Sequence, residues 1–213
     1  MRKFEIRNSK CEIRDSKFEI PNFAFRISHF LIPMSHELIK REDIYKGKVL
    51  DLSLSSFQSE GKGAVTIEVV HHNGGAGILA VFEDLTLALV RQWRYPLGRY
   101  ALEIAAGRIE RGQTPEETAA RELEEELGYR ARTLRKIAEF NVAPGYCEER
   151  IYLYLATGLE KSAQNLDEDE EIEVVYLSLD EALAKVASGE IDDAKSIIML
   201  LLAAPILRAA PTP

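Results

Sequence analysis

The amino-acid sequence predicts an α+β fold, and three observations carry that expectation. Runs rich in Val, Ile, Leu and Tyr come in consecutive pairs separated by short turn signals, as antiparallel hairpins do. One strongly helical segment, at 115–127, interrupts these runs, and two more follow the last of them. Strands and helices therefore do not alternate regularly, which disfavours a doubly wound parallel sheet.

In chain order, Ile44–Leu54 and Ala64–His72 read as the first strands, around the turn-like Ser59–Gly63, and make a small N-terminal sheet. Gly74 and Gly75 punctuate the chain before Ala76–Phe82 and Thr86–Arg94, which Glu83 and Asp84 join into a second hairpin. Tyr100–Ile104 is another short strand and Ala105–Thr114 a loop. The helix of 115–127 opens on Pro115, whose fixed φ and missing N–H suit a first turn, and closes at Gly128. Thr133–Phe140, Ile151–Thr157 and Ile172–Leu177 are strands, and Asp180–Ser188 and Asp192–Ala203 are terminal helices. The expected division is an appendage at 1–33, an N-terminal sheet at 34–73 and the main domain at 74–208.

A length of 213 residues accommodates one sizeable core with an appendage. With 46% apolar and 29% charged residues, the chain is neither collagen-like, coiled-coil nor wholly disordered in composition. Its 35 acidic residues against 27 basic ones leave a net charge of -8, so it lacks the basic field that duplex nucleic acid attracts. Phosphate chemistry on such a protein calls for cations. Two cysteines, Cys11 and Cys147, are too few for a disulfide framework or a four-ligand zinc site and point to a reducing, cytoplasmic setting. The longest apolar run, Ile197–Leu207, is too short to span a bilayer and contains Pro205, so no membrane span is expected.

At the N-terminus, Phe4–Lys10, Cys11–Lys17 and Phe18–Pro21 repeat with a seven-residue period. Pro21 ends the pattern before three apolar heptads accumulate, which argues against a coiled coil. Glu5, Glu12, Asp15 and Glu19 among the basic residues argue against a targeting peptide. The expectation is an appendage outside the fold, read from repetitive DNA upstream of a start at Met34.

The chemistry concentrates on the helix. At about 100° per residue, Ala119, Ala120, Leu123 and Leu127 share an apolar stripe, with Glu124 on one flank and Glu122 and Glu126 on the other. Taken alone, that is a solvated acidic helix with a Leu/Ala stripe. Glu122 and Glu126, however, stack at i and i+4, and Glu125 lies on the adjoining turn. Up to three carboxylates thus converge where their repulsion calls for a counter-charge. Hard divalent cations such as Mg²⁺ or Mn²⁺ match carboxylate oxygens, with substrate phosphates and water completing the octahedron.

Gly107, five residues, Gln113, seven residues and then Arg121–Tyr129 make a 23-residue pattern. It resembles the Nudix box of the Nudix hydrolases, departing from it at Gln113, where the family pattern has Glu. The resemblance covers about residues 40–205. It implies an α/β/α sandwich with a mixed sheet, preceded by a small antiparallel sheet, and hydrolysis of a nucleoside diphosphate linked to another moiety. It also implies a Mg²⁺ (or Mn²⁺) cofactor held by the Ala106 carbonyl, Glu122 and Glu126, with Glu125 and Glu170 as secondary ligands.

Outside the box, four segments resemble the ADP-ribose pyrophosphatase branch of that family: Val90–Pro96, Leu102–Gly107, Ala143–Glu149 and the acidic Asp167–Ile172. That likeness implies Arg94, Glu103, Pro144 and Glu149 as substrate-binding residues, and Glu168 as the base that deprotonates or orients the attacking water. The implied products are AMP and ribose 5-phosphate. Tyr146 lies where diadenosine polyphosphate hydrolases of the family carry a tyrosine, so hydrolysis of dinucleoside polyphosphates or of other nucleotide sugars is an alternative. A catalytically silent nucleotide-binding module is another. The branch forms homodimers by exchanging N-terminal sheets. Here Val49, Leu50, Leu52, Val65, Ile67, Val69 and Val70 are more apolar surface than a small sheet can cover alone, so a homodimer is expected.

Overall fold

The computed structural model describes residues 36–59, 63–166 and 171–209. The N-terminal repeat, Glu168 and Glu170 lie outside the described residues. A three-stranded antiparallel sheet comes first, β1 (Glu37–Lys46), β2 (Asp51–Ser59) and β3 (Gly63–His71), in that order. The single strand expected over Ile44–Leu54 is in fact two. The chain turns at 47–50, where the Gly47 N–H donates to the Leu50 carbonyl at 3.1 Å and to Asp51 Oδ1 at 3.2 Å. The apolar Val49 and Leu50 continue the strand-like pattern through this turn and hide it.

The main sheet contains β4 (Gly75–Val81), β5 (Leu87–Arg94), β6 (Arg99–Glu103), β7 (Ala105–Arg108), β8 (Tyr129–Asn141), β9 (Arg150–Lys161) and β10 (Ile172–Leu177). Its order is β10-β5-β4-β9-β8, with β6 on β5 and β7 on β4. The β4–β9 pair is parallel and the others are antiparallel, so the sheet is mixed. Strands β4 and β5 pair only beside their turn, at Ala80↔Ala88 and Val81↔Leu87. They then part, β5 taking β6 and β4 taking β7, and the corner from Glu103 to Ala106 fills the opening. Strand β7 replaces the start of the expected loop. Ala-Ala-Gly-Arg has no alternation, and its ladder to Gly75–Ile78 makes it a strand.

Helix α1 (Pro115–Leu127) covers one face of the sheet, and α2 (Leu179–Ser188) and α3 (Ala194–Ala209) the other. Period-two alternation sorts the side chains. Ala76, Ile78, Ala80, Ala88, Val90 and Ala156 meet Ala119, Leu123 and Leu127, whereas Leu79, Leu87, Leu89, Leu153 and Leu155 meet Met199, Leu200, Ala203 and Leu207. Alanines dominate the α1 side, so that helix lies close to the strands and its carboxylates reach strand backbone. Helix α3 runs through Pro205 beyond the expected end at Ala203. Proline removes the N–H that would bond the Leu201 carbonyl, and Leu201 lies on the exposed side of the helix, where that loss is least costly.

The small sheet is tied to the loop between β8 and β9. The Val70 N–H donates to the Tyr146 carbonyl at 2.8 Å, and the Glu148 N–H to the Val70 carbonyl at 3.0 Å. His71 bridges the buried Ser53 Oγ (2.8 Å) and Glu148 Oε2 (2.6 Å).

Candidate active site

Helix α1 is held at both ends. Thr114 caps it: its Oγ1 accepts from the Glu117 N–H at 3.2 Å while Glu117 Oε2 accepts from the Thr114 N–H at 2.8 Å, and Pro115 follows. Gly128 ends it at φ 73°, the left-handed conformation that favours glycine. Segment 162–165 then takes up the last carbonyls, with Gln164 Nε2 on Glu126 O at 2.6 Å and the Asn165 N–H on Glu125 O at 3.0 Å. Gln113, the divergent position of the box, accepts from Thr118 Oγ1 at 3.1 Å, so a neutral amide anchors the loop to the helix here.

Glu122 and Glu126 are buried, 6% and 2% exposed. Glu126 Oε2 accepts from the Ala106 N–H at 3.1 Å. Glu122 lies directly over Gly107, where a Cβ would fall 1.7 Å from Glu122 Oε1. The box therefore needs glycine here to seat this carboxylate. Arg121 stands between Glu122 and Glu125, with ion pairs of 2.6 and 2.5 Å, and its Nε is buried with no hydrogen-bond partner among the described residues. Burial works against the Arg121 charge, but these carboxylates outweigh it and raise the pKa. Glu124 points the other way, to Arg130 and Ser162.

Among the described residues, no three acidic, His or Cys side chains already converge as a metal cage. The donor chemistry nevertheless fits a hard divalent cation. All the candidate atoms are oxygens, two carboxylates are buried, and Arg121 sets its positive charge between Glu122 and Glu125.

On β5, Arg94 donates from Nε and Nη2 to Glu103 Oε1 and Oε2, each at 2.7 Å. Glu103 is 3% exposed, and Lys195 Nζ also donates to its Oε2. Burial alone would push the Glu103 carboxyl up, but hydrogen bonds and charge from Arg94 and Lys195 overrule it and bring it down to about 2.

Arg94, Ala106, Gly107, Arg121, Glu122 and Glu125 line one cleft of about 430 Å³, together with Lys48, His72, Arg108 and Asn165. Glu103 and Glu126 stand behind that wall. A cavity of about 530 Å³ around Phe82, Tyr129 and Tyr176 carries none of the box carboxylates. Pro144 occupies an exposed turn closed by the Cys147 N–H on the Ala143 carbonyl, and Glu149 Oε1 lies 3.5 Å from His72 Nδ1. Neither is among the cleft-lining residues. Sequence reasoning missed Lys48, His72, Asn165 and Lys195. Only the chain's return from distant positions places these at the site.

The split sheet, the capped acidic helix over a glycine and the arginine across the cleft define a class of protein. The NUDIX domain model matches residues 71–199, and the chain belongs to that family. Hydrolases of this family generally require divalent metal ions. The chain is 42% identical to the ADP-ribose pyrophosphatase of Bacillus subtilis (strain 168) over 160 residues, which cover 74% of this chain and 86% of that one. It is also 38% identical to the methanol dehydrogenase activator of Bacillus methanolicus, over 75% of this chain and 88% of that one. A crystal structure of an ADP compounds hydrolase superposes with a TM-score of 0.73 at 20% identity, over 84% of this chain and 97% of that one, and shares its fold.

Proposed function

We propose that this chain hydrolyses the diphosphate of ADP-ribose to AMP and ribose 5-phosphate, with Mg²⁺ (or Mn²⁺) as cofactor. One observation carries the reading: a single cleft is lined by an arginine with unspent guanidinium hydrogens and by a helix edge bearing carboxylates. The activity of the B. subtilis relative supports ADP-ribose as the substrate.

Glu122, Glu126 and the Ala106 carbonyl would hold the metal, with Glu125 and Glu170 as secondary ligands. When bound, it withdraws charge from the attacked phosphorus and lets an acidic protein accept an anionic substrate. The chain's own side chains do the rest. Arg94, set by Glu103, binds a non-bridging phosphate oxygen. Glu168, three residues past the cleft-lining Asn165, takes a proton from the attacking water as its oxygen bonds to phosphorus. The bond from phosphorus to the bridging oxygen breaks, and the departing phosphate keeps the electron pair. Pro144 and Glu149, on the 143–149 loop and outside the cleft's own lining, are assigned to substrate binding on the family resemblance alone. The same reading places the enzyme in the cytoplasm as a homodimer, the low cysteine count supporting the first and the exposed apolar residues of the small sheet the second.

The test is release of AMP by the full chain with Mg²⁺, from ADP-ribose and from a panel of other nucleotide sugars and dinucleoside polyphosphates. ADP-ribose is the expected best substrate, and Glu126→Gln is expected to lower turnover by orders of magnitude with little change in Tm. Preference for another compound, or undiminished turnover of Glu126→Gln at saturating Mg²⁺, would overturn the reading.

A further inference from the structure

Resting on the reading of the cleft as a diphosphate site, we propose that Lys195, near the start of α3, is a positioning residue: it locks the Glu103 carboxylate so that Arg94 presents its remaining guanidinium edge to the substrate.

Arg94 spends Nε and one Nη2 hydrogen on Glu103. This side-on pair leaves the Nη1 hydrogens and the second Nη2 hydrogen, the end-on fork that grips a phosphate through two parallel bonds. The fork is only as well aimed as the carboxylate that holds its other edge. Lys195 Nζ donates to Glu103 Oε2, the same oxygen that Arg94 Nη2 uses, and is itself only 13% exposed at its side chain.

Lys195 is held in turn. Asp193 Oδ2 lies 3.0 Å from its Nζ and also accepts from the Ser196 N–H at 3.0 Å and Oγ at 2.5 Å. The Ser196 Oγ, fully buried, accepts from the Ile104 N–H at 2.8 Å. Residues 193–196 thus grip Glu103 through its side chain and Ile104 through its backbone, two residues before Ala106.

Charge points the same way. Arg94 and Glu103 by themselves cancel, and Glu110, Glu122 and Glu125 in the cleft are matched in number by Lys48, Arg108 and Arg121. Lys195 restores a positive charge behind Arg94, and the negative charge of Asp193 is offset by the N-terminus of α3.

The test compares the full-length wild type with Lys195→Met, which keeps the apolar stem, and Lys195→Arg, which keeps the charge. Lys195→Met is expected to raise KM about ten-fold while kcat changes far less, and Lys195→Arg to recover most of the loss. In a Glu103→Gln background, Lys195→Met should add nothing. The Arg94 Nε–H signal in ¹H–¹⁵N spectra should be present in wild type and Lys195→Arg and lost to exchange in Lys195→Met. Should the methionine variant not fold, Lys195→Gln takes its place in both measurements. A lowered Tm with unchanged KM and an unchanged Arg94 signal would overturn the proposal, as would an undiminished effect in the Glu103→Gln background. A wild type inactive on ADP-ribose whose Arg94 signal still depends on Lys195 would sink the substrate assignment and leave the positioning role standing.

Discussion

At the residue scale, Gly107 and Glu103 show how buried charge is arranged around the cleft. A methyl group on residue 107 collides with the end of the Glu122 side chain, which can swing aside, whereas the backbone need not move. Gly107→Ala is therefore expected to abolish most turnover while lowering Tm only modestly, as kinetics and thermal unfolding on one preparation will check. Glu103 has the opposite profile, because its ion pairs serve both fold and site. Its carboxyl is depressed from the ordinary 4.5 to about 2. The stabilisation it contributes is thus present above pH 4.5 and is lost as pH falls through about 2; the difference of roughly 2.5 pKa units is worth about 3 kcal/mol. Glu103→Gln should be less stable than wild type at pH 7, and the two should converge toward pH 2. Parallel unfolding curves across that range would show that the buried carboxylate is not the linked group.

At the scale of elements, α1 was legible because its signals are local: Pro115 and Gly128 bound it, and the stripe of Ala119, Leu123 and Leu127 sets its face. Thr114→Ala removes the cap and should lower Tm by about 2–4 °C. Turnover at 25 °C should hold, since Glu122 lies two turns along, and a matching loss of kcat would show that the cap also sets the carboxylates. The long strands were legible for the same reason, through alternation that sorts Leu79 from Ile78 across the sheet. Strand β7 and the turn at 47–50 were not. Ala105–Arg108 has no pattern of its own and becomes a strand only because Gly75–Ile78 offers a ladder, and Val49 and Leu50 mimic strand residues at a turn. The carboxylate edge could be read from helical geometry. The grip of Lys195 on Glu103 spans 92 positions, and no local rule joins residues that far apart.

At the scale of the whole molecule, the small N-terminal sheet is partly satisfied by its own chain. Ser53 and Ser55 are buried, β3 pairs with the loop at Tyr146–Glu148, and Arg108 Nη1 donates to the Lys48 carbonyl at 2.6 Å. The other end is not covered. All ten residues of β1 are exposed, and register places Leu38 opposite Phe57 and Phe57 opposite Val65, with Ile67 two residues along on the same face. Leu38, Val65 and Ile67 are 50%, 41% and 40% exposed, side by side on a three-stranded sheet with no second layer over them among the described residues. A contiguous apolar row of this kind on a thin sheet calls for a partner surface, and a second copy of the chain carries a matching row. The expected species at micromolar concentration is a dimer of twice the chain mass by sedimentation. Val65→Glu combined with Ile67→Glu should return it to the monomer by setting like charges against each other, and activity should fall with it, because Lys48 and His72 bring this sheet's turn and trailing end to the cleft. Full activity in a wild type that sediments at the mass of one chain would reject the dimer and leave the docking of Val70 and His71 on the 146–148 loop as the sheet's whole anchorage.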